Sequence, residues 1–465
     1  MACRIPIAAL VLAGGKGTRM KSDLPKVMQH VLDQPMLYYI LRAIGDSGIE
    51  NSAVVTGYGG DIVRQYLSES APSVVPIVQE EQLGTGHAVG ISSEWWKKFD
   101  NVLVLPGDVP LLRAESLKKL VELHIEGGDD CTFITFEPDD PSGYGRVIDH
   151  EGVLSIVEER DAADTQIKIA EVNSGIYIFK TSMLEETIPL LSNSNAQGEY
   201  YLTDLVYMIS SGKGQVRACH VDSPSDFAGI NDPVQLARVT GIMRERILTR
   251  CMMNGVRVMD PASTFIGPSV KIGRDVLIEP FVQIWGCSSI GEGARIGSYS
   301  TVTNSFLDEE VHLISHVVIN DSNIGKGASV GPFAFIREGT DLASGAFVGK
   351  FVEVKKSSIG SGTKVPHLSY IGDATIGSGT NIGAGTITCN FDGKDKHKTV
   401  IGSGSFVGSD TILVAPVNLE DDTYTAAGSV ITHDVPSGAL AVSRSRQRNI
   451  EGWTKRKGRS DKRRK

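Results

Sequence analysis

The segment Ile290–Gly297, "IGEGARIG", contains two aliphatic–glycine pairs that are six residues apart. Eleven such pairs occur between Ile266 and Gly408, many at intervals of six, and Val330 and Val348 are eighteen residues apart. A short fixed period of this kind predicts a β-solenoid whose coils each have three six-residue faces. We expect each aliphatic side chain to point inward and each glycine to turn a corner without a Cβ clash. The same pairs explain the high glycine content, 51 of 465 residues.

One segment interrupts this period. After Ile382-Gly383 the chain reads "CNFDGKDKHKT" (Cys389–Thr399), and the repeat resumes at Ile401. A loop that leaves a solenoid is either a tolerated surface insertion or a functional arm. Its charged residues favour the functional arm.

Residues before about 235 follow a different pattern, in which short apolar runs alternate with amphipathic helical patterns. The predicted strands are Ile5–Leu12, Ser52–Thr56, Val102–Leu105 and Thr132–Phe136. The predicted helices are Pro35–Gly48 and Ala114–Gly128. This alternation predicts a mainly parallel, Rossmann-like α/β sheet covered on both faces, with ligands at the carboxyl ends of its strands.

The change of pattern divides the chain into three parts. We expect an N-terminal domain at 1–233, a helical linker at 234–254 and a solenoid domain at 255–465. The last stretch, 455–465, holds eight basic residues and one Asp. A tail of this composition is either a solvated end or lies near a phosphorylated ligand.

Composition excludes several classes of protein. The net charge of -9 argues against nucleic acid as a general partner. Six cysteines without a C-x-x-C pair indicate neither a zinc site nor a disulfide framework, so reduced thiols and a cytoplasmic location are expected. The apolar N-terminal run leads directly into "GGKGTR", which favours a buried strand over a signal peptide. No segment is long and apolar enough to predict a membrane span.

The loop after the first predicted strand, "LAGGKGTRMKSDLPK" (Leu12–Lys26), has the composition of a phosphate-binding loop. Gly17 stands where a Walker A motif needs Ser or Thr, and Met20 stands where the dinucleotide fingerprint needs glycine. The loop instead resembles the signature of sugar nucleotidyltransferases. The matching residues are Leu12, Gly15, Gly17, Thr18, Arg19, Pro25 and Lys26. Its glycines can bring backbone N–H groups close to a triphosphate.

The resemblance continues along the whole chain. The segments that carry it are "QEEQLGTGHA" (Gln79–Ala88), "PGDVPL" (Pro106–Leu111), "DPSGYGRV" (Asp140–Val147), "IVEERDA" (Ile156–Ala162), "VNSGIY" (Val172–Tyr177), "NAQGEYYLTDL" (Asn195–Leu205) and "GIND" (Gly229–Asp232). The chain is similar to the bacterial bifunctional N-acetylglucosamine-1-phosphate uridyltransferase/glucosamine-1-phosphate N-acetyltransferase family. This resemblance implies synthesis of UDP-N-acetylglucosamine for the cell wall and a left-handed parallel β-helix of hexapeptide repeats.

For the nucleotidyl site, the resemblance implies that Asp108 and Asn231 bind Mg²⁺, while Arg19 and Lys26 act on the phosphates of UTP. The residues expected to bind the nucleotide or the sugar are Leu12, Ala13, Gly14, Gly15, Gln79, Gly84, Thr85, Pro106, Gly107, Gly145, Glu158 and Asn173. Pro106 departs from the family, which usually has Tyr or another hydrogen-bonding residue there. Proline has no backbone donor, so a contact at this position is in doubt.

For the acetyl-transfer site, the resemblance implies that His367 is the general base, because histidine titrates near the working pH. The expected acceptor-binding residues are Arg337, Lys355, Tyr370 and Asn381, and the expected acetyl-coenzyme A residues are Ala384, Asn390, Phe391, Ser409, Ala427 and Arg444. The loop of Asn390 and Lys396 matches an arm that reaches a neighbouring subunit, which implies a homotrimer. Phe391 replaces a common Tyr and Pro366 a common Gly, and we expect altered affinity rather than lost activity.

Two other functions fit parts of the sequence. A single-function nucleotidyltransferase could use its solenoid only to oligomerise, but it would not need His367, Lys355 or the Asn390 arm. A non-catalytic sensor of sugar nucleotides would not need Arg19, Lys26 and Asp108.

Overall fold

The computed structural model describes residues 7–456. Contacts between Cα atoms divide the chain into two compact units, one up to Arg244 and the other from Glu245. A single helix, Pro233–Met253, crosses this boundary at the position of the expected linker. The first residues of the predicted strand Ile5–Leu12 and most of the basic tail lie outside the described residues.

The first unit contains a nine-stranded main sheet, a two-stranded sheet and the helices that cover the main sheet. Its strands are β1 (Ile7–Ala13), β2 (His30–Val31), β3 (Gln34–Pro35), β4 (Asn51–Thr56), β5 (Val75–Val78), β6 (Asn101–Pro106), β7 (Cys131–Phe136), β8 (Arg146–His150), β9 (Val153–Val157), β10 (Val172–Lys180) and β11 (Val216–His220). Its helices are α1 (Met36–Asp46), α2 (Gly60–Ser70), α3 (Thr85–Ile91), α4 (Ser93–Trp96), α5 (Ala114–Gly127), α6 (Thr181–Thr187), α7 (Asp204–Ser211) and the start of α8 (Pro233–Met253). Short 3-10 helices lie at Thr18–Met20, Lys26–Met28, Ile188–Leu190 and Pro224–Phe227.

The main sheet has the order β11-β7-β10-β6-β1-β4-β5. The pairs β6–β1, β1–β4, β4–β5 and β7–β11 are parallel, as predicted from the alternation of strands and helices. However, β10 lies antiparallel between β6 and β7, and β8 and β9 form an antiparallel hairpin. No helix lies between β7 and β10 in the chain, so the crossover that a parallel β7–β10 pairing requires is missing.

Both faces of this sheet are buried. On β1, Ala9 and Val11 face a cluster that includes residues of α1, α2 and α5, while Leu10 faces a cluster with residues of α3, α6 and α7. Helix α1 buries Leu37, Ile40 and Ile44, which lie on one face because they are three and four residues apart. This packing fixes β1 and β6, whose carboxyl ends carry the two predicted loops.

The second unit is a stack of parallel coils. Its strands are Arg257–Val258, Phe265–Ile266, Lys271–Ile272, Leu277–Ile278, Gln283–Trp285, Ser289–Ile290, Arg295–Ile296, Thr301–Thr303, Phe306–Leu307, His312–Leu313, Val317–Asn320, Asn323–Ile324, Ser329–Val330, Ala334–Ile336, Asp341–Leu342, Phe347–Lys355, Ser358–Ile359, Lys364–Gly372, Ala374–Ile376, Asn381–Ile382, Ile387–Cys389, Thr399–Ile401, Phe406–Val407, Ile412–Val414, Val417–Leu419, Tyr424–Thr425, Val430–Ile431 and Leu440–Ala441. A short helix follows at Trp453–Arg456.

Strands in successive coils pair in parallel, typically with partners 17 or 18 residues apart, such as Ile290 with Leu307 and Val330 with Val348. The separation rises to 25 where Ile382 pairs with Val407, because the segment Cys389–Thr399 leaves the coil there. Except for Ile272, the aliphatic members of the eleven pairs are buried. The period of the sequence is therefore the period of a β-helix interior.

Most glycines of these pairs are required for a reason that the sequence pattern did not identify; Gly331, with φ of 102°, is an exception. A Cβ on Gly297 would lie 1.8 Å from the carbonyl oxygen of Ile314, and one on Gly349 would lie 2.0 Å from that of Pro366. Close approach of the next coil, rather than a left-handed corner, thus excludes a side chain at these positions.

The left-handed corners are occupied by other glycines, such as Gly293 and Gly345, and by residues with side chains. One corner carries Phe281, Tyr299, His316, Phe333 and Phe351, all with φ between 52° and 64°. Their rings stack on one another with centroid separations of 4.5–5.4 Å. Ring stacking accompanies the unfavourable backbone conformation of these bulky residues and marks one edge of the β-helix.

Candidate active sites

A cavity of about 470 Å³ opens at the carboxyl ends of β1 and β6 in the first unit. Twelve of the residues predicted to bind nucleotide or sugar line it: Leu12, Ala13, Gly14, Gly15, Lys26, Gln79, Gly84, Thr85, Pro106, Asp108, Glu158 and Asn173. They come from segments that are distant in the sequence, so the fold gathers them into one place. Four further predicted residues, Arg19, Gly107, Gly145 and Asn231, do not line the cavity directly.

At Gly14 the phosphate loop lies against the neighbouring strand ends with no room for a side chain. A Cβ on Gly14 would lie 2.8 Å from Gln79 Oε1, and the carbonyl oxygen of Gly14 accepts a hydrogen bond from the Tyr58 amide. The Gln79 side chain donates to the Gly84 carbonyl at 3.2 Å. This bond holds the Gln79 amide beside the loop, where its donor and acceptor suit a pyrimidine edge.

Three polar side chains meet at the end of β6. The Lys26 ammonium donates to Asp108 Oδ2 and, at 2.8 Å, to Asn231 Oδ1. One carboxylate and one amide oxygen therefore already converge on a cation, which is the donor chemistry that Mg²⁺ uses together with phosphates and water. Among the described residues, no group of three or more His, Cys, Asp or Glu side chains could form an all-protein metal cage. The residues present fit a metal ion that takes some of its ligands from the protein and the others from a bound substrate.

A second polar network also lines the cavity. Asn173 Nδ2 donates to the Tyr177 hydroxyl at 2.5 Å, and the Thr203 hydroxyl donates to Glu158 Oε1 at 3.3 Å. Burial raises the pKa of Glu158. Gly145 stands next to this network, since a Cβ there would lie 3.7 Å from Glu158 Cδ. The arrangement offers directional hydrogen bonds to the hydroxyl and amide groups of a sugar.

The remaining predicted residues lie at the edges of this site. Arg19 is exposed on the short helix that follows the left-handed Gly17. The Gly107 amide donates to the carbonyl oxygen of Leu12, which ties the two loops together. Pro106 lines the cavity as the last residue of β6.

The cavity also contains residues that the sequence reasoning did not select, including Lys16, Tyr177, Glu199 and Thr203. Lys16 belongs to the quoted phosphate loop, and the other three lie in or beside "VNSGIY" and "NAQGEYYLTDL". The motifs indicated the right segments. They gave no information on which side chains of each segment point inward.

In the second unit, four of the six residues predicted to bind acetyl-coenzyme A form a column across successive coils: Ala384, Ser409, Ala427 and Arg444. The carbonyl oxygen of Leu368, next to His367, accepts from the Gly385 amide, and that of Ala384 accepts from the Asp410 amide. The carbonyl oxygen of Ser409 accepts from the Gly428 amide, and that of Ala427 accepts from the Arg444 guanidinium at 2.8 Å. The predicted base thus stands at one end of a line of small residues that ends at an arginine.

The predicted acceptor residues lie on the strand that carries His367 and on other coils of the same stack. Arg337 pairs with Glu353 at 2.8 Å, and Lys355 lies 3.9 Å from Glu338. Glu353 pairs across the coils with Tyr370, three residues after His367. Asn381 lies at the start of the next coil, where it pairs with Lys364. Lys355, Tyr370 and Asn381 therefore lie on the strand of the exposed His367 or on strands paired with it.

The segment Cys389–Thr399 is a compact hairpin. Asn390 donates to Asp373, and Phe391 forms an antiparallel bridge with Lys396. The carboxylate of Asp392 accepts from the Lys394 and Asp395 amides at 2.8 and 2.7 Å and lies 2.8 Å from His397 Nε2. These hydrogen bonds lower the pKa of Asp392. Phe391 is 59% exposed, so the hairpin presents an aromatic ring at the surface of the single chain.

Comparisons with known proteins match both units. Residues 8–226 match the family model described as nucleotidyl transferase, and residues 269–304 match the model of the bacterial transferase hexapeptide (six repeats). The fold and the two sites therefore define a nucleotidyltransferase joined to a hexapeptide-repeat transferase.

Curated relatives extend over nearly the whole chain and share the name bifunctional protein GlmU. The relative from Fervidobacterium nodosum is 47% identical over 96% of this chain and 97% of its own length. The relatives from Heliobacterium modesticaldum and Streptomyces coelicolor are 47% and 44% identical, each over 97% of this chain and over 98% and 95% of their own lengths. The chain belongs to the GlmU family of bifunctional enzymes, whose nucleotidyltransferase uses a divalent metal. No helix within 7–456 combines the length and apolarity needed to cross a membrane.

Proposed function

We propose that this enzyme carries out two consecutive steps of UDP-N-acetylglucosamine synthesis in the cytoplasm. The second unit acetylates glucosamine-1-phosphate with acetyl-coenzyme A. The first unit then transfers UMP from UTP to N-acetylglucosamine-1-phosphate and releases pyrophosphate. The observation that carries the proposal is the alignment of bifunctional relatives over both units, each of which brings its own set of predicted residues together.

In the nucleotidyl step, a phosphate oxygen of the sugar phosphate attacks the α-phosphorus of UTP, and the bond to pyrophosphate breaks. No protein nucleophile is needed, so positioning and charge stabilisation provide the rate enhancement. The amides around Gly14 and Gly15 bind the phosphates, and the exposed Arg19 meets the departing pyrophosphate. Lys26 stabilises negative charge at the attacked phosphate.

We propose Mg²⁺ as the divalent metal, held by Asp108 and Asn231. When bound, it offsets negative charge on the phosphates. Glu158 and Asn173 orient the sugar through the polar network described above. Tyr177 supplies a hydroxyl next to Asn173, on the side of the cavity where Pro106 cannot donate.

In the acetyl step, the sugar amine attacks the thioester carbonyl and the carbon–sulfur bond breaks. His367 accepts the amine proton and passes it to the departing sulfur, so coenzyme A leaves as the thiol. Arg337 and Lys355 bind the sugar phosphate, with Tyr370 and Asn381 beside its hydroxyls. The column Ala384, Ser409 and Ala427 lets the pantetheine arm lie close, and Arg444 meets the coenzyme phosphates.

We also propose that the enzyme is a homotrimer. On the single chain His367 is exposed, Leu368 is 63% exposed and Phe351 is 60% exposed, so one chain leaves this site open. The hairpin with Asn390, Phe391 and Lys396 is suited to close the corresponding site of a neighbouring chain.

The test supplies glucosamine-1-phosphate, acetyl-coenzyme A, UTP and Mg²⁺ and measures free thiol and pyrophosphate separately. A His367→Ala variant should lose about 10²–10⁴-fold in thiol release. It should keep normal pyrophosphate release when N-acetylglucosamine-1-phosphate is supplied. An Asp108→Asn variant should give the reverse result. Absence of thiol release in the unsubstituted enzyme would leave only the single-function nucleotidyltransferase.

A further inference from the structure

The cation that joins Asp108 and Asn231 in this structure belongs to the protein itself. Lys26 Nζ contacts Asp108 Oδ2 and lies 2.8 Å from Asn231 Oδ1, so an ammonium stands between the two oxygens that would hold the metal. The Lys26 and Asp108 side chains are 14% and 21% exposed. A partly dry environment strengthens both the attraction within this pair and the repulsion of any second cation.

Each member of the cluster is held from its own segment. The carbonyl oxygen of Asp108 accepts from the Ile230 amide at 3.1 Å, and the Asn231 amide donates to Gln235 Oε1 at 2.6 Å. The first bond joins the backbones of the two segments independently of Lys26, and the second fixes the backbone of Asn231. The two segments that carry the oxygens are therefore joined without the lysine, whose long flexible side chain is the most movable part of the cluster.

The position of Lys26 is coupled to the phosphate loop. A Cβ on Gly17 would lie 2.9 Å from Lys26 Cβ, so the loop packs directly against the lysine stem. Lys26 and the loop residues Gly14, Gly15 and Lys16 line the same cavity. A triphosphate bound there brings several negative charges within reach of the flexible ammonium.

We propose that Lys26 acts as an internal counter-ion that blocks the metal site until the triphosphate arrives. Without nucleotide, a divalent cation has to displace the ammonium from the single carboxylate of the site. With nucleotide, the phosphates draw the ammonium away, and Asp108 and Asn231 become free for the metal. Lys26 thereby makes metal binding depend on nucleotide binding, and by linkage the reverse. This inference rests on the proposed assignment of Asp108 and Asn231 as metal ligands.

The experiment titrates the full-length protein with Mn²⁺ in the absence of nucleotide and measures free Mn²⁺ by electron paramagnetic resonance. Lys26→Met should bind Mn²⁺ about tenfold more tightly than the unsubstituted protein, within the usual range of coupling between sites. Lys26→Arg keeps the positive charge and should leave Mn²⁺ affinity low. Lys16→Met is the matched control, because it removes a charge from the same loop without touching Asp108 or Asn231. It should change little. Circular dichroism establishes that each variant is folded.

Equal Mn²⁺ affinity of Lys26→Met and the unsubstituted protein would overturn the counter-ion role, as would an equal gain in Lys16→Met. The metal site itself is tested separately by Asp108→Asn in the presence of UTP, with the affinity of UTP alone for Mn²⁺ subtracted. Loss of protein-dependent Mn²⁺ binding there, together with no gain in Lys26→Met, would remove only the role of Lys26. Unchanged Mn²⁺ binding in Asp108→Asn would remove the ligand assignment as well.

Discussion

The two sites differ in how much of each a single chain provides. The nucleotidyl site is a cavity whose walls come from β1, β6, β10 and the loops around them, all in one unit. The acetyl site is an open column on the outside of the β-helix, with His367 exposed. A cavity is complete within one chain, whereas an open column needs another surface to exclude water. In the proposed homotrimer, folding alone completes the nucleotidyl site, whereas assembly completes the acetyl site.

Mixing inactive chains tests this difference most strongly. His367→Ala removes the proposed base, and Asn390→Ala removes a side-chain amide from the arm. If the arm closes a neighbour's site, denaturing and refolding the two variants together restores intact sites. Alone, His367→Ala should transfer acetyl groups about 10²-fold or more slowly than the unsubstituted enzyme. The rate of the refolded mixture should rise well above that of either variant alone.

The nucleotidyl site provides the control for that experiment. Mixing Asp108→Asn with Arg19→Ala should restore no pyrophosphate release, because both residues belong to one cavity of one chain. Recovery of pyrophosphate release would show that this site is also shared. Light scattering would establish that the refolded variants form trimers. If acetyl transfer still fails to recover, the acetyl site contains residues of one chain only.

The interiors of the two units should also respond differently to pH. Under the main sheet, the buried His124 bonds Thr132 at 2.9 Å and Asn101 at 3.1 Å. Burial lowers the pKa of His124 from 6.5 to about 4. In the described coils from 257 onward, the buried polar side chains are Ser, Thr and Asn, which do not titrate.

The sign of the effect follows from the lowered pKa. Below pH 6.5 the unfolded chain binds a proton at this histidine, while the folded chain does not until about pH 4. The stability that neutral His124 contributes is present above pH 6.5 and is lost as the pH falls towards 4, by about 2 kcal/mol at pH 5. Urea unfolding of the first unit should show this loss, and His124→Gln should reduce its pH dependence. An equal loss in the variant would assign the effect to other groups.

The sequence predicted those features that repeat or that form a continuous motif. Aliphatic–glycine spacing identified the coils because each buried position recurs at nearly the same interval. The phosphate loop was identifiable because its residues are contiguous from Leu12 to Lys26. By contrast, the direction of β10 depends on the absence of a crossover helix, which no local pattern records.

Side-chain positions were less predictable than segments. Tyr177 and Thr203 lie within or close to recognised motifs, but only the fold shows that they face the same cavity as Glu158. The column from His367 to Arg444 crosses the 25-residue interval at the arm, so no single period relates its members. Aromatic residues occupy a corner where glycine was expected, since stacking between coils is a property of the assembled structure.

The smallest of the expected effects concerns the shape of the arm. Asp392 holds the hairpin by accepting from two backbone amides and bonding His397. Asp392→Ala removes these bonds, so the arm has to be ordered when it closes a site, at a cost of about 1 kcal/mol. The KM for acetyl-coenzyme A should rise about fivefold, with kcat nearly unchanged, because the reacting groups remain in place. Asp395→Ala is the matched control on the same hairpin, since only its backbone takes part in the hydrogen bonds. A fall in kcat without a change in KM would place Asp392 in the chemistry of the open site, and would mean that the arm does more than cover it.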